Sequence, residues 1–190
     1  MPYPAKTDRE AILAAAMQQV ERHGAEKLAI RSVAAALGLA PNALYRYFAS
    51  LAALEAALAE ESRRRLLTVM QRAAERKRPA EAIRGICDAY VRFAREHPQI
   101  FSLTLKPSNN DGDENAVHLQ SWRFVLEQVG RLYGDKRAPE AAVALWALLH
   151  GMTVLERAGV LSEMKPSSGL AFGLQMWIGG ASAGSNITRA

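Results

Sequence analysis

The sequence of 190 residues lacks the features of a disulfide-stabilised protein and of a β-sheet protein. Cys87 is its only cysteine, which excludes an intrachain disulfide, and its apolar surroundings predict a buried, unreactive thiol. Valine and isoleucine are scarce beside alanine and leucine, and no stretch alternates apolar and polar residues as a half-buried strand does. We therefore expect an all-α fold.

Signals for export, membrane insertion and catalysis are also missing. The first ten residues, MPYPAKTDRE, lack the apolar stretch of a secretory signal, and the weakly polar run at 169–184 is short and glycine-rich for a membrane span. The four histidines show no paired spacing suited to a metal, and no phosphate-binding loop, nucleophile elbow or catalytic carboxylate pair is present. We expect a cytoplasmic protein that is not an enzyme, needs no cofactor or metal and has no membrane partner.

Positive charge is concentrated in the first part of the chain. Residues 1–78 contain 13 lysines and arginines against 8 acidic residues, whereas residues 79–190 contain 11 of each. The excess includes basic clusters at 63–65 and 76–78. A one-sided basic charge suits a module that binds phosphate groups, which supply most sequence-independent affinity for nucleic acid. A solvated basic surface explains the same charge, so the bias alone leaves both interpretations open.

Hydrophobic residues recur with helical periodicity along most of the chain. The pattern predicts about nine helices, at 6–23, 30–37, 41–47, 51–76, 80–96, 99–105, 114–133, 139–158 and 167–178. The polar residues 106–113 predict a loop, and the composition of 179–190 is typical of a disordered end.

The second and third predicted helices are short and are joined by Gly38-Leu39-Ala40, which is the helix-turn-helix pattern. Gly38 suits the turn, and Pro41 suits a first helical position, where its missing N–H group is not needed. Because a seven-residue helix is unstable alone, it must dock against its neighbours. The side chains expected to form this small core are those of Val33, Leu37, Leu39, Leu44 and Phe48.

Residues 8–60 resemble the TetR family of bacterial transcriptional regulators. The matching positions are Ile12, Ala15, Gly24, Arg31, Val33, Ala34, Gly38, Leu44, Tyr45, Arg46, Tyr47, Phe48 and Leu54. Residues 89–98 and 146–151 resemble a TetR-type C-terminal domain named for its Trp-His-Gly (WHG) motif. The resemblance implies a three-helix DNA-binding domain at 6–50, a helical ligand-binding and dimerisation domain at 51–182, and a flexible tail at 183–190.

The resemblance also implies that the helix at 41–47 enters the major groove of operator DNA. The residues expected to contact DNA are Lys6, Arg31, Pro41, Asn42, Ala43, Tyr45, Arg46 and Tyr47. Asn42 and Arg46 can hydrogen-bond base edges or phosphates. Tyr45 and Tyr47 are expected to bind the phosphate backbone through their hydroxyl groups, which fixes register without reading sequence.

Three positions depart from the family pattern. Ala29 and Ala40 replace the hydroxyl residues that usually cap the second and third helices, and a lost cap typically costs about 1 kcal/mol. Leu51 replaces a lysine that usually contacts phosphate, although Ser50 before it can cap the fourth helix. Two functions therefore stay open: a repressor released by a small, largely apolar ligand, and a dimeric ligand-binding or protein-interaction module whose DNA binding is weakened or lost.

The last two predicted helices are apolar nearly all round, so both of their faces need to be covered. The resemblance implies that they form a homodimer interface, predicted to include Ala141, Ala144, Leu145, Leu148, Met152, Leu170, Leu174 and Trp177. It also implies an effector cavity, with candidate lining residues Leu67, Met70, Tyr90, Phe93, Phe101, Trp122, Leu126, Trp146 and His150. Ordinary core packing is the competing interpretation for each lining residue, including His150.

Overall fold

A computed structural model describes residues 7–106, 116–161, 163 and 166–187 of the chain, and only the backbone of residues 182–187. The helices are α1 (Arg9–His23), α2 (Ile30–Ala36), α3 (Pro41–Leu44), α4 (Leu51–Ala74), α5 (Pro79–Glu96), α6 (Pro98–Leu103), α7 (Val117–Tyr133), α8 (Ala138–Arg157) and α9 (Pro166–Ile187), with a 3₁₀ turn at Ala25–Lys27. No strand occurs in this described part of the chain. The expected all-α fold is confirmed.

The chain divides into two compact units. The first unit contains the residues up to Leu66 together with Phe93–His118, and the second contains Leu67–Arg92 together with the residues from Leu119 onwards. Three helices, α4, α5 and α7, therefore contribute residues to both units. The division at 50/51 into a DNA-binding and a ligand-binding domain concerns function, and it stays a prediction.

A small apolar core holds the first three helices to the beginning of α4. In the first unit α1 packs against α2 and α6, and α2 packs against α3. The most deeply buried side chains of this core are those of Ile12, Val20, Val33, Leu44, Phe48, Leu54 and Leu58. Full burial of one such side chain contributes about 1.5–3 kcal/mol. Val33, Leu44 and Phe48 are placed as expected, whereas Leu37 and Leu39 are only partly buried.

Side chains and a glycine set the ends of the early helices. The carboxylate of Asp8 accepts a hydrogen bond from the Ala11 amide at 2.8 Å, which starts α1 at Arg9. The predicted start at Lys6 is therefore too early, and Lys6 itself lies outside the described residues. Gly38 adopts a φ of 67°, the left-handed conformation that the turn between α2 and α3 requires. The Ser50 hydroxyl accepts from the Ala53 amide at 3.1 Å, which confirms the expected cap of α4.

The third helix is shorter than its pattern predicts. It ends at Leu44, and residues 45–47 form a turn, so the predicted helix at 41–47 is wrong beyond its first four residues. The amides of Tyr47 and Phe48 both donate to the Leu44 carbonyl, at 2.9 and 3.0 Å. Two donors on one carbonyl interrupt the regular series of helical hydrogen bonds, and the chain turns so that Phe48 enters the core. The guanidinium carbon of Arg9 lies 4.7 Å from the centre of the Phe48 ring.

The last helix is longer than its pattern predicts. It continues to Ile187, so the predicted end at residue 178 is wrong, and residues 183–187 of the predicted tail have helical backbone. Residues 188–190 lie outside the described residues. The Tyr133 hydroxyl donates to the Trp177 carbonyl, and the Trp177 indole N–H donates to the Ala141 carbonyl at 3.1 Å. This packing carries α9 through Gly179 and Gly180, where intrinsic propensity alone predicts an end.

The remaining predicted helices agree with the structure to within a few residues. The predicted start of the seventh helix at Glu114 lies outside the described residues, and so do residues 107–113 of the predicted loop. In the second unit α4 and α5 approach closely at Gly85, where a Cβ atom would lie 2.5 Å from the Ala73 carbonyl oxygen. In the same unit α8 packs against α9.

Candidate DNA-binding surface and aromatic cluster

The turn after α3 exposes a group of polar and aromatic side chains. Asn42, Tyr45 and Arg46 are all exposed, and Tyr45 shows half of its surface to solvent. Leu44 and Phe48, which stand on either side of Tyr45 and Arg46 in the sequence, are almost completely buried. The core thus anchors this segment and points its polar side chains outward, which is the arrangement a DNA-binding surface needs.

The other predicted DNA contacts lie around this turn with varying exposure. Pro41 is exposed and Ala43 is half-buried, while Arg31 is exposed at the beginning of α2. Neither Ala29 nor Ala40 makes a side-chain cap, as their side chains predict, and the Ser32 hydroxyl donates to the Ala29 carbonyl at 2.8 Å. Two basic residues are therefore exposed in this region, Arg31 on α2 and Arg46 in the turn.

Tyr47 differs from Tyr45 in how its hydroxyl is used. The Tyr47 hydroxyl donates to the Thr7 carbonyl at 2.5 Å, which joins the turn to the residues just before α1. Phosphate oxygens only accept hydrogen bonds, and a tyrosine hydroxyl has one proton to donate. In this arrangement the Tyr47 proton is used by Thr7, whereas the hydroxyl group of Tyr45 is on an exposed side chain.

The basic cluster at 63–65 is largely neutralised by acidic neighbours on the same helix. Arg64 and Arg65 both pair with Glu61, at 2.5 and 2.9 Å, and Arg63 is buried and pairs with Glu60 at 3.2 Å. The sequence analysis identified these arginines as a basic cluster and did not predict their pairing with Glu60 and Glu61. The signal was present in the spacing, because acidic residues three and four positions before an arginine face it on a helix.

Four side chains of the second unit form an aromatic cluster, defined as Tyr90, Trp122, Trp146 and His150. The Trp146 and His150 rings are stacked, with centroids 5.4 Å apart and planes 22° apart, and the Trp122 ring meets Trp146 edge-on at 5.9 Å. The Tyr90 hydroxyl lies 2.9 Å from Nδ1 of His150. The expectation that Trp146 and His150 share one face of their helix is confirmed.

The environment of the cluster fixes its proton positions. Burial raises the pKa of Tyr90, and a hydrogen bond from Trp146 partly offsets this rise. Burial also lowers the pKa of His150, and the charge of Arg157 lowers it further. At neutral pH the Tyr90 hydroxyl is therefore protonated and His150 is neutral, so Tyr90 donates to Nδ1 and accepts from the Trp146 indole.

The other predicted cavity residues are divided between the two units. Leu67 and Met70 are buried on the part of α4 that belongs to the second unit, and Leu126 is half-buried on α7. Phe93 and Phe101 are buried and belong to the first unit, whereas the residues of the aromatic cluster belong to the second.

The predicted interface residues fall into buried and accessible groups. Leu145 and Leu174 are buried in the packing of the chain itself, and Trp177 stacks on Tyr133 with ring centroids 4.7 Å apart. Ala144 is exposed, and the half-buried members are Ala141, Leu148, Met152 and Leu170.

An apolar face of α8 and α9 is not covered within the chain. Its exposed members are Val143, Trp146, Val154, Leu155, Phe172 and Met176. Phe172 and Met176 have 67% and 62% of their surfaces exposed, although sequence reasoning did not single them out as interface residues. Because α9 is apolar all round, periodicity cannot tell which of its faces packs internally.

The described residues offer little to catalytic chemistry. No group of three or more His, Cys, Asp or Glu side chains among them is placed to hold a metal ion. Cys87 is buried as expected, and burial, with a smaller contribution from the charge of Asp88, raises the pKa of its thiol to about 12. A thiol with that pKa is protonated at neutral pH and therefore a poor nucleophile.

Comparison with protein families assigns both parts of the chain. Residues 12–58 match the family described as "Bacterial regulatory proteins, tetR family", and residues 83–176 match "Tetracyclin repressor-like, C-terminal domain". The chain belongs to the TetR family of transcriptional regulators. TetR regulators bind operator DNA, dimerise and bind small ligands, so family membership indicates a regulator of transcription rather than an enzyme.

Individual proteins and solved structures are also similar to this chain. An uncharacterised HTH-type transcriptional regulator of Mycobacterium tuberculosis, Rv0681, is 29% identical over 164 residues, which cover 85% of this chain and 75% of the relative. A Rhodococcus sp. RHA1 protein of unknown function is 25% identical, with a TM-score of 0.79 over 95% of this chain and 98% of its own. A TetR variant from Acinetobacter baumannii, solved with minocycline, shares the fold at 18% identity, with a TM-score of 0.68 over 93% of this chain and 94% of its own.

We expect the neutral His150 to make stability depend on pH. Its pKa lies below the ordinary value of about 6.5 in the folded chain and returns to that value on unfolding. Unfolding therefore takes up a proton, and the free energy of unfolding falls as the pH drops below about 6.5. The replacement His150→Gln should remove this part of the pH dependence in urea unfolding measured between pH 5 and pH 8. His23→Gln, at an exposed position, is the matched control, and identical profiles for wild type and His150→Gln would contradict the expectation.

Proposed function

We propose that this TetR-family chain is a repressor that binds operator DNA as a homodimer and releases it when a small, largely apolar ligand binds. The carrying observation is the exposed set Asn42, Tyr45 and Arg46, fixed by the buried Leu44 and Phe48. The proposal includes a cytoplasmic location. It also includes the finer assignment of the C-terminal domain to the Trp-His-Gly type, which the stacking of Trp146 on His150 supports.

The chemistry of the exposed set suits a major groove. Arg46 can donate two parallel hydrogen bonds to a guanine edge, and Asn42 can pair with an adenine edge. Tyr45 and Arg31 supply donors for phosphate oxygens. In a dimer the two copies of this surface need a separation of about 34 Å, one turn of DNA, to enter successive grooves.

Operator binding is tested with a labelled duplex from the DNA upstream of the chain's own gene, by fluorescence anisotropy over a range of salt concentrations. Arg46→Ala should weaken binding by about 10- to 100-fold, because a bidentate base contact contributes about 1–3 kcal/mol. Tyr45→Phe should weaken binding while leaving the salt dependence near that of wild type, because the hydrogen bond lost to phosphate comes from an uncharged hydroxyl group.

Tyr47→Phe is the matched control for Tyr45→Phe. It should leave operator affinity and salt dependence near those of wild type, while lowering the free energy of unfolding by about 0.5–1.5 kcal/mol through loss of the bond to Thr7. A wild-type chain that binds upstream and unrelated DNA equally weakly, with no effect of Arg46→Ala, would exclude the proposed repressor.

The homodimer is proposed to form through the exposed apolar face of α8 and α9. Six large apolar side chains on these two helices have between 41% and 67% of their surfaces exposed, and exposed or half-buried Ala144, Ala147 and Gly151 let another helix approach closely. By length and composition α8 is also apolar enough to cross a membrane, and this is the one such helix among the described residues. A helix that a second copy covers has the same composition, so the membrane reading has weak support.

Phe172→Glu or Met176→Glu should convert the dimer to a monomer, because each places a charge in the centre of an apolar contact. Mass is measured by light scattering at micromolar concentration. Val160→Glu is the matched control, since Val160 is equally exposed but lies outside both helices. A wild-type chain of monomeric mass would rule out the interface.

The effector is proposed to bind at the aromatic cluster of the second unit. The Tyr90 hydroxyl, the Trp146 indole N–H and Nδ1 of His150 already bond one another, so the cluster offers many ring faces and edges to a ligand. The related Acinetobacter baumannii protein was solved with minocycline, which supports a ligand site in the fold. Because α4 belongs to both units, a ligand that prefers one of its positions shifts the DNA-binding equilibrium, typically by 1–3 kcal/mol.

A panel of hydrophobic and aromatic compounds tests the cluster as an effector site. Compounds that bind should raise the unfolding temperature of wild type and quench tryptophan fluorescence, and Trp122→Leu should diminish both effects. They should also lower operator affinity. If no compound shifts the unfolding temperature beyond the effect of the solvent alone, the proposal of an apolar effector is wrong.

A further inference from the structure

Arg63 is the one formally charged side chain among those described that is buried, with 8% of its surface exposed. Removing a charge from water is expensive unless the group is paired and its hydrogen-bonding capacity is used. The partners of Arg63 therefore reveal what the side chain does in the fold.

The guanidinium of Arg63 has three partners in the first unit. Its Nε donates to the Thr104 carbonyl at 3.1 Å, one terminal nitrogen donates to the Lys106 carbonyl, and the other pairs with Glu60 at 3.2 Å. The second carboxylate oxygen of Glu60 accepts from the Val117 amide at 2.7 Å. One ion pair on α4 thus holds the residues on both sides of positions 107–115.

The signs of the two charges match the helix ends that they contact. Thr104 and Lys106 follow the end of α6, where carbonyl groups lack helical partners and the helix dipole is negative. Val117 begins α7, where an amide lacks a helical partner and the dipole is positive. Arg63 therefore caps the end of α6, and Glu60 caps the beginning of α7.

The other end of α6 is attached to α1. His97, immediately before α6, places Nδ1 2.8 Å from the carboxylate of Glu21 on α1, and α6 packs against α1. Ile100, Phe101 and Leu103 of α6 are all buried. The helix α6 is thus fixed to α1 at its beginning and to α4 at its end.

We propose that Glu60 and Arg63 are positioning residues for operator binding. Leu54 and Leu58 of α4 are completely buried in the compact unit that also contains α1–α3, and Arg63 lies only five residues, about 7.5 Å of helix, beyond Leu58. Attaching α4 to the end of α6 and the beginning of α7 at this point therefore holds the turn at residues 45–47 in one orientation relative to the rest of the first unit. The proposal rests on operator binding as the function of the chain.

Arg63→Lys tests the positioning role, because a lysine keeps the charge but cannot bond three separated acceptors. Operator affinity should fall by about tenfold or more, while the slope of affinity against salt stays that of wild type, because no phosphate contact is lost. Arg65→Met is the matched control, an exposed arginine paired on the same helix, and should bind operator like wild type. Affinities are compared well below the unfolding temperature of each variant, and a purely structural role would lower that temperature without changing the affinity of folded protein.

A charge-exchanged variant separates capping from simple ion pairing. Glu60→Arg combined with Arg63→Glu keeps both charges but turns a carboxylate toward the carbonyls after α6, so operator affinity should stay as low as in Arg63→Lys. Recovery of wild-type affinity would overturn the proposal.

Should the arginine variants not fold, Glu60→Gln keeps the size of the side chain and still weakens the pair. It should lower operator affinity and speed hydrogen exchange at the Val117 amide, and wild-type values of both would overturn the proposal.

The result for wild type distinguishes this inference from the function on which it rests. If wild type does not bind operator DNA, the proposed repressor function fails and the positioning role fails with it. If wild type binds and Arg63→Lys binds with the same affinity and salt slope, only the positioning role is overturned.

Discussion

The burial of Leu44 and Phe48 in the core of the first unit is the constraint on which the DNA-binding surface depends. A helix of four residues without a side-chain cap has no stability of its own, so its position comes from these two anchors. Once they are buried, the intervening Tyr45 and Arg46 can only point outward. The surface proposed to meet DNA is thus positioned by the packing of the core.

Much of the fold follows from residue patterns, and the exceptions have identifiable physical causes. Periodicity located the helices, and Gly38 and Ser50 marked a turn and a cap that the structure contains. The length of α3 was overestimated because two amides converge on the Leu44 carbonyl, a contact that periodicity does not register. The extent of α9 was underestimated because contacts of Trp177 with Tyr133 and Ala141 override two glycines, and these partners lie 44 and 36 positions earlier in the sequence.

The candidate sites were predictable to a similar degree. Family resemblance predicted the exposed residues of the turn after α3. Helical spacing predicted that Trp146 and His150 share one face of their helix. The tether from Tyr47 to Thr7 spans forty positions, and the bonds of Arg63 to Thr104 and Lys106 span more, so neither has a local signature. Arg63 belongs to a basic cluster in the sequence, and such a cluster is expected at the surface. In the fold its side chain is buried and caps the end of α6.

The isolation of Cys87 has a practical consequence for spectroscopy. Because the chain contains one thiol, and burial keeps it protonated and inaccessible, a cysteine introduced on the surface is the only site that a maleimide or methanethiosulfonate reagent labels quickly. Spin or fluorescent labels can therefore be attached singly to each copy without first removing the native thiol. Interprobe distances in solution then become directly measurable on an otherwise unaltered background.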